Sequence, residues 1–166
     1  MPWNNPKTWL PNAVLTAAEL NQYVRDNFRA IGDAWTSYTP TWTSSSTQPA
    51  LGNGTATGRY LQAGKLIVYR SAVAMGTTTT FGAGQYYLSL PVAAHVTGTQ
   101  LVHGEAVIGS SVYVIRGRIL TADTTKAFLY CSPTTAGAAD RAVSPTTPGS
   151  FANGSQIIVT GIYEAA

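Results

Sequence analysis

The sequence predicts an all-β fold: an antiparallel β-sandwich or jelly-roll-like barrel of about eight strands, preceded by an extended arm and one amphipathic α-helix. Three observations predict it. From Tyr38 onward apolar residues recur with a period of two, as where Val112 and Val114 alternate with Tyr113 and Ile115. Turn dipeptides punctuate these runs: Asn53-Gly54, Ala63-Gly64, Gly109-Ser110 and Asn153-Gly154. No helical period returns after Gly32, which removes βαβ architectures.

The arm covers residues 1–15, where Pro2, Pro6 and Pro11 block regular structure. It carries two large apolar groups, Trp3 and Trp9. Either they fold back onto their own domain or they anchor in pockets of a neighbouring protein, as buried tryptophans do at interface hot spots.

The helix is expected over 16–32. Thr16-Ala-Ala-Glu19 is a capping box, with Thr16 as N-cap and Glu19 at the third helical position, and Leu15 and Leu20 occupy the hydrophobic-staple positions. Leu20, Val24, Phe28 and Ile31 follow at spacings of four, four and three, with Tyr23 beside them, and Gly32 ends the run. A helix this short is marginal alone, so its stripe needs a cover. The β-domain, the same helix in symmetry mates, or a host surface on a larger particle would each serve.

The β-domain is expected over 38–166, with strands near 38–43, 56–62, 65–75, 85–90, 99–108, 111–120, 126–131 and 156–164. A long loop, 132–155, interrupts it. Loops beyond about 12–15 residues in a compact domain are ordered by a partner, functional or disordered, and Val143 and Phe151 are the residues suited to pin this one.

Composition bounds the partners. Charged residues make up 10% of the 166-residue chain, well below the ordinary share, while 45% is hydrophobic. Thr, Ser, Gly and Ala take the place of charge, which fits surface committed to subunit contacts. The net charge of +3 comes from ten scattered Lys and Arg, without the basic face of a nucleic-acid binder. No run approaches a membrane span, and no apolar leader is visible, so synthesis in a cytoplasm is expected. The single cysteine, Cys131, allows no intrachain disulfide and sits in a strand pattern as a buried thiol.

No catalytic, cofactor-binding or metal-binding set is expected. Of seven carboxylates, Glu105 with Asp123 is the only pair worth testing for glycoside chemistry. His103 and Glu105 share a strand face at i, i+2, which supplies two ligands and no third. Leu51-Gly-Asn-Gly-Thr55 lacks the strand-to-helix context of a phosphate loop. As a binding alternative, Tyr86, Tyr87 and Tyr113 are candidates to stack on sugar rings.

The segment Val14-Leu-Thr-Ala-Ala-Glu-Leu-Asn-Gln-Tyr-Val-Arg-Asp-Asn-Phe-Arg-Ala30 resembles a module near the N-termini of minor virion proteins of actinobacteriophages. The stretches Tyr38-Thr-Pro-Thr-Trp42, Pro49 to Tyr60, Gly64-Lys65, Arg70 and the closing Gly161-Ile-Tyr-Glu-Ala-Ala166 are similar to the same proteins, in order. The resemblance implies a non-enzymatic structural protein of the virion, either a capsid decoration protein or a minor tail or tail-fibre component. It implies partners too: the chain itself, as a homotrimer, and a major capsid protein or a tail or baseplate protein. A host-surface glycan is the alternative ligand; nucleic acid, membrane and cofactors are not expected. The residues expected to dock on the virion or form the oligomer interface are Trp3, Trp9, Leu15, Leu20, Tyr23, Val24, Phe28 and Ile31.

Overall fold

A computed structural model describes residues 4–32, 34–133 and 139–166. The expected helix is present and begins at its capping box. The Glu19 N–H donates to Thr16 Oγ1 (3.2 Å) and the Thr16 N–H donates to Glu19 Oε2 (3.1 Å), so two otherwise orphaned donors are satisfied. The helical run has three parts: α1 (Ala17–Leu20), a π-helical turn (Asn21–Arg25) closed by Asp26 N–H on the Asn21 carbonyl, and α2 (Asp26–Gly32). The π turn has no counterpart in the residue pattern.

The rest of the described chain is β. The strands are β1 (Thr36–Tyr38), β2 (Trp42–Ser44), β3 (Thr55–Ala63), β4 (Leu66–Ala74), β5 (Tyr86–Ser89), β6 (Gln100–Ile108), β7 (Ser111–Leu120), β8 (Asp123–Cys131), β9 (Arg141–Ala142) and β10 (Gln156–Glu164). They form one antiparallel sheet in the order β1-β3-β4-β10-β6-β7-β8-β5-β2, with β9 on β8. The single strand expected over 38–43 is broken at Pro40, which has no N–H to give a ladder. Its two halves lie at opposite edges of the sheet, β1 on β3 and β2 on β5.

That break explains the shape. Nine strands laid flat at about 4.8 Å spacing would put their edges nearly 40 Å apart. Yet only Thr39, Pro40 and Thr41 join β1 to β2, and the four Cα steps from Tyr38 to Trp42 reach about 15 Å at most. The sheet must therefore curl until its edges approach each other, a half-barrel with its core on the concave side.

The inward face is set by the alternation. Ile67, Tyr69 and Val73 of β4, Val102 and Ala106 of β6, Ile115 and Ile119 of β7, and Ile157, Val159 and Tyr163 of β10 are all buried. Glycines flank the buried Val102 side chain and leave it room. A Cβ on Gly161 would lie 2.8 Å from Val102 Cβ, and one on Gly117 would lie 2.4 Å from Val102 Cγ2. Residues 134–138 of the long loop lie outside the described residues, and its later part is pinned as expected: Val143 is fully buried, its N–H donates to the Leu129 carbonyl (3.0 Å) and its carbonyl accepts from Tyr86 N–H (2.8 Å). The Phe151 ring packs edge-on against Tyr86 at 5.7 Å.

Candidate docking surface

The arm lies along the helix. Asn27, buried on the helix, grips the main chain of Asn4 at two points: its Oδ1 accepts from Asn4 N–H and its Nδ2 donates to the Asn4 carbonyl, both at 2.8 Å. Asn4 Nδ2 donates in turn to the Gln22 carbonyl (3.1 Å), one of the main-chain groups around the π turn. Lys7 pairs with Glu19 and also sits 5.2 Å over the Trp9 ring. Trp9 meets Tyr23 edge-to-face at 6.4 Å. Of the two readings of this residue, the structure has Trp9 folded back, half-buried on its own helix; Trp3 lies outside the described residues. Asn27 is the latch that sequence reasoning missed, because a mid-helix Asn carries no pattern of its own.

Glu19 is the electrostatic centre of this contact. Its carboxylate accepts from Lys7 and from both donors of Thr16, which together hold its pKa down to about 2 from the usual 4.5. A depressed carboxyl supports the folded state above its free pKa and loses that support as pH falls through the bound value. The Lys7–Glu19–Thr16 contact is therefore expected to be whole above pH 4.5 and to weaken as pH falls from 4.5 through about 2, with the Trp9 and Tyr23 resonances shifting together with the Glu19 carboxyl in an NMR titration. A Glu19 carboxyl that titrates at the ordinary value would break the account.

The helix stripe is not covered. Only Asn27 and Ala30 of the helical run are buried, and α2 lies against β3. Leu15 (52% exposed), Leu20 (43%), Val24 (40%), Phe28 (72%) and Ile31 (56%) all face outward. Between arm and helix runs an apolar groove of about 240 Å³, lined by Pro6, Tyr23, Val24, Asn27, Phe28 and Ile31. Of the covers considered from sequence, the chain's own sheet is thus not the one used. Full burial of a side chain such as Phe28 or Ile31 is worth about 1.5–3 kcal/mol, so covering the exposed stripe would be strongly favourable.

Two of the tyrosines named for sugar stacking, Tyr86 and Tyr87, are a correction. Tyr86 has no exposed surface and donates its hydroxyl to the Phe81 carbonyl (2.7 Å). Tyr87 is buried too, its ring against Phe128 at 4.6 Å with the Lys126 ammonium 4.6 Å above it. Tyr113 is half-buried, packed onto the core. Two adjacent residues of a strand point to opposite faces, but here the outer face of β5 is covered as well as the inner.

The other chemical candidates are separated. Glu105 pairs with Val114 and Asp123 with Leu120, so six residues of β7, about 20 Å, divide them. Asp123 is held below its usual pKa by Thr125 and Lys126. Among the described residues no three of His, Cys, Asp and Glu converge on a point. Cys131 is buried, with its thiol pKa pushed up by that burial. No described helix is long and apolar enough to cross a membrane. A second concavity, of about 430 Å³, opens on the outer face of β3 and β4. In comparisons with known proteins, no family model, no curated protein and no solved structure matches this chain.

Proposed function

We propose that the chain is a non-enzymatic structural component of a bacteriophage particle, attached through its arm and helix and presenting the curled sheet outward. One observation carries the attachment. Among the described residues, the hydrophobic core cluster of the sheet contains none from the arm or helix, while the helix leaves its own apolar stripe uncovered. An element that the core does not need, and that is capped, latched and apolar outside, is built to be covered by another chain. The low charge of the chain suits a protomer packed among copies, and the likeness of Val14 to Ala30 to virion proteins supports the compartment.

The partner is a major capsid protein or a tail or baseplate protein, with copies of the same chain, as a trimer, sharing the contact. Copy number distinguishes the two sites: hundreds per particle for a capsid decoration, a few to tens for a tail component. Deletion of residues 1–32 is the direct test. The truncated chain is expected to keep the sheet's circular dichroism and to be missing from purified particles. Incorporation at the parental level would refute attachment by the arm and helix.

A further inference from the structure

β3 and β4 turn Thr57, Arg59, Arg70 and Ala72 away from the core, because the alternate residues Gly58, Tyr60, Tyr69 and Ser71 face it. The register sets Arg59 directly across from Arg70. Like charges opposed on neighbouring strands destabilise the pairing. Among the described residues no carboxylate bridges either guanidinium. Arg59 Nη2 makes one long hydrogen bond, 3.5 Å, to the carbonyl of Trp35, a residue that stays 39% exposed. Trp35, Thr57 and the two arginines line the concavity of about 430 Å³.

We propose that this concavity binds an anionic saccharide, a sugar ring that carries a carboxylate or a phosphate. Paired guanidiniums match the oxygens of such a group in fork geometry, and a bound anion removes the repulsion between them. An exposed indole offers an apolar face to the C–H face of a sugar ring and a donor N–H to its hydroxyls. The volume falls within the range of small-ligand pockets. A bare inorganic anion would engage the arginines and leave the indole unused. An extended acidic peptide would need an unbroken basic row, yet Thr160 interrupts it after Arg70, and Arg116, beyond His103, is already paired with Asp140. The site stands apart from the docking surface: its failure leaves attachment by the helix untouched.

The test is an NMR titration of the isotopically labelled full chain with glucose 6-phosphate, galacturonate, glucose, inorganic phosphate and a polyglutamate peptide. The two charged sugars are expected to shift the Trp35 indole N–H and the Arg59 and Arg70 signals with roughly millimolar affinity. Glucose and inorganic phosphate are expected to bind about tenfold more weakly, since each lacks one half of the recognition. The double variant Arg59→Gln/Arg70→Gln should reduce a charged sugar to the level of glucose, and Trp35→Ala should reduce it to the level of phosphate. Polyglutamate or phosphate binding as tightly as the charged sugars would overturn the saccharide. Shifts from none of the five would overturn the site, and since this reading uses the parental chain it does not depend on how either variant folds.

Discussion

Valine in place of Gly104 is expected to unfold the domain. Gly104 pairs with Val159 of β10 and Ile115 of β7, in the middle of the sheet. A Cβ there would stand 2.1 Å from the Ile158 carbonyl oxygen and 3.0 Å from Val159 Cα, both main-chain atoms of the paired strand. No rotamer relieves a clash with backbone, so the two strands must part and lose ladder bonds on the way. A loss above about 4 kcal/mol is the expected scale for strain of this kind, against a total stability of about 5–15 kcal/mol for a domain. Thermal unfolding followed by circular dichroism reads it directly. Gly98→Ala is the internal control: a Cβ there meets nothing within 4 Å, and its effect is expected to stay within about 0.5 kcal/mol. A Gly104→Val protein melting within a few degrees of the parent would show that the sheet is not as tightly wound here as its geometry implies.

The second large effect concerns association rather than folding. The double variant Val24→Glu/Phe28→Glu is expected to melt like the parent and to fail to join the particle. Both side chains are exposed, at 40% and 72%, so neither holds the domain together, and Glu is a better helix former than Val or Phe. In an interface each loss removes about 2 kcal/mol of apolar burial, so the pair lowers affinity by about a thousandfold before any cost of covering two carboxylates. Mixed expression with the parental chain, followed by quantification of each in purified particles, measures the ratio. Equal incorporation of the two chains, with parental melting, would remove the helix face from the contact.

Much of this architecture was legible in the residues, because local physics leaves little choice there. Thr16 and Glu19 complete each other's hydrogen bonds whatever surrounds them, and seven of the eight expected strands overlap single observed strands. Period-two alternation was the weaker guide, because it says that a strand has two faces without saying which one is inside. In β7 both faces are apolar. Tyr113 and Ile115 turn inward, whereas Val112 and Val114 remain 61% and 68% exposed. The same ambiguity misplaced Tyr86 and Tyr87. Aromatic residues in a strand suit a binding face and a core equally, and burial of both came from Phe128, Lys126 and Phe151, none of them near in sequence.

By itself, then, the sequence determined the class of the fold, the capped helix and the turns, since each depends on residues within a few positions of one another, and its single cysteine ruled out an intrachain disulfide. Only the tertiary structure decided that the strands would close into one curled half-barrel sheet, that Pro40 would send its flanking residues to opposite edges, and that the helix stripe would face outward. It alone also set Arg59 opposite Arg70 in a concavity that Trp35 helps to line. These are matters of register and closure. They rest on contacts between residues far apart in the chain, whose energies no local pattern records.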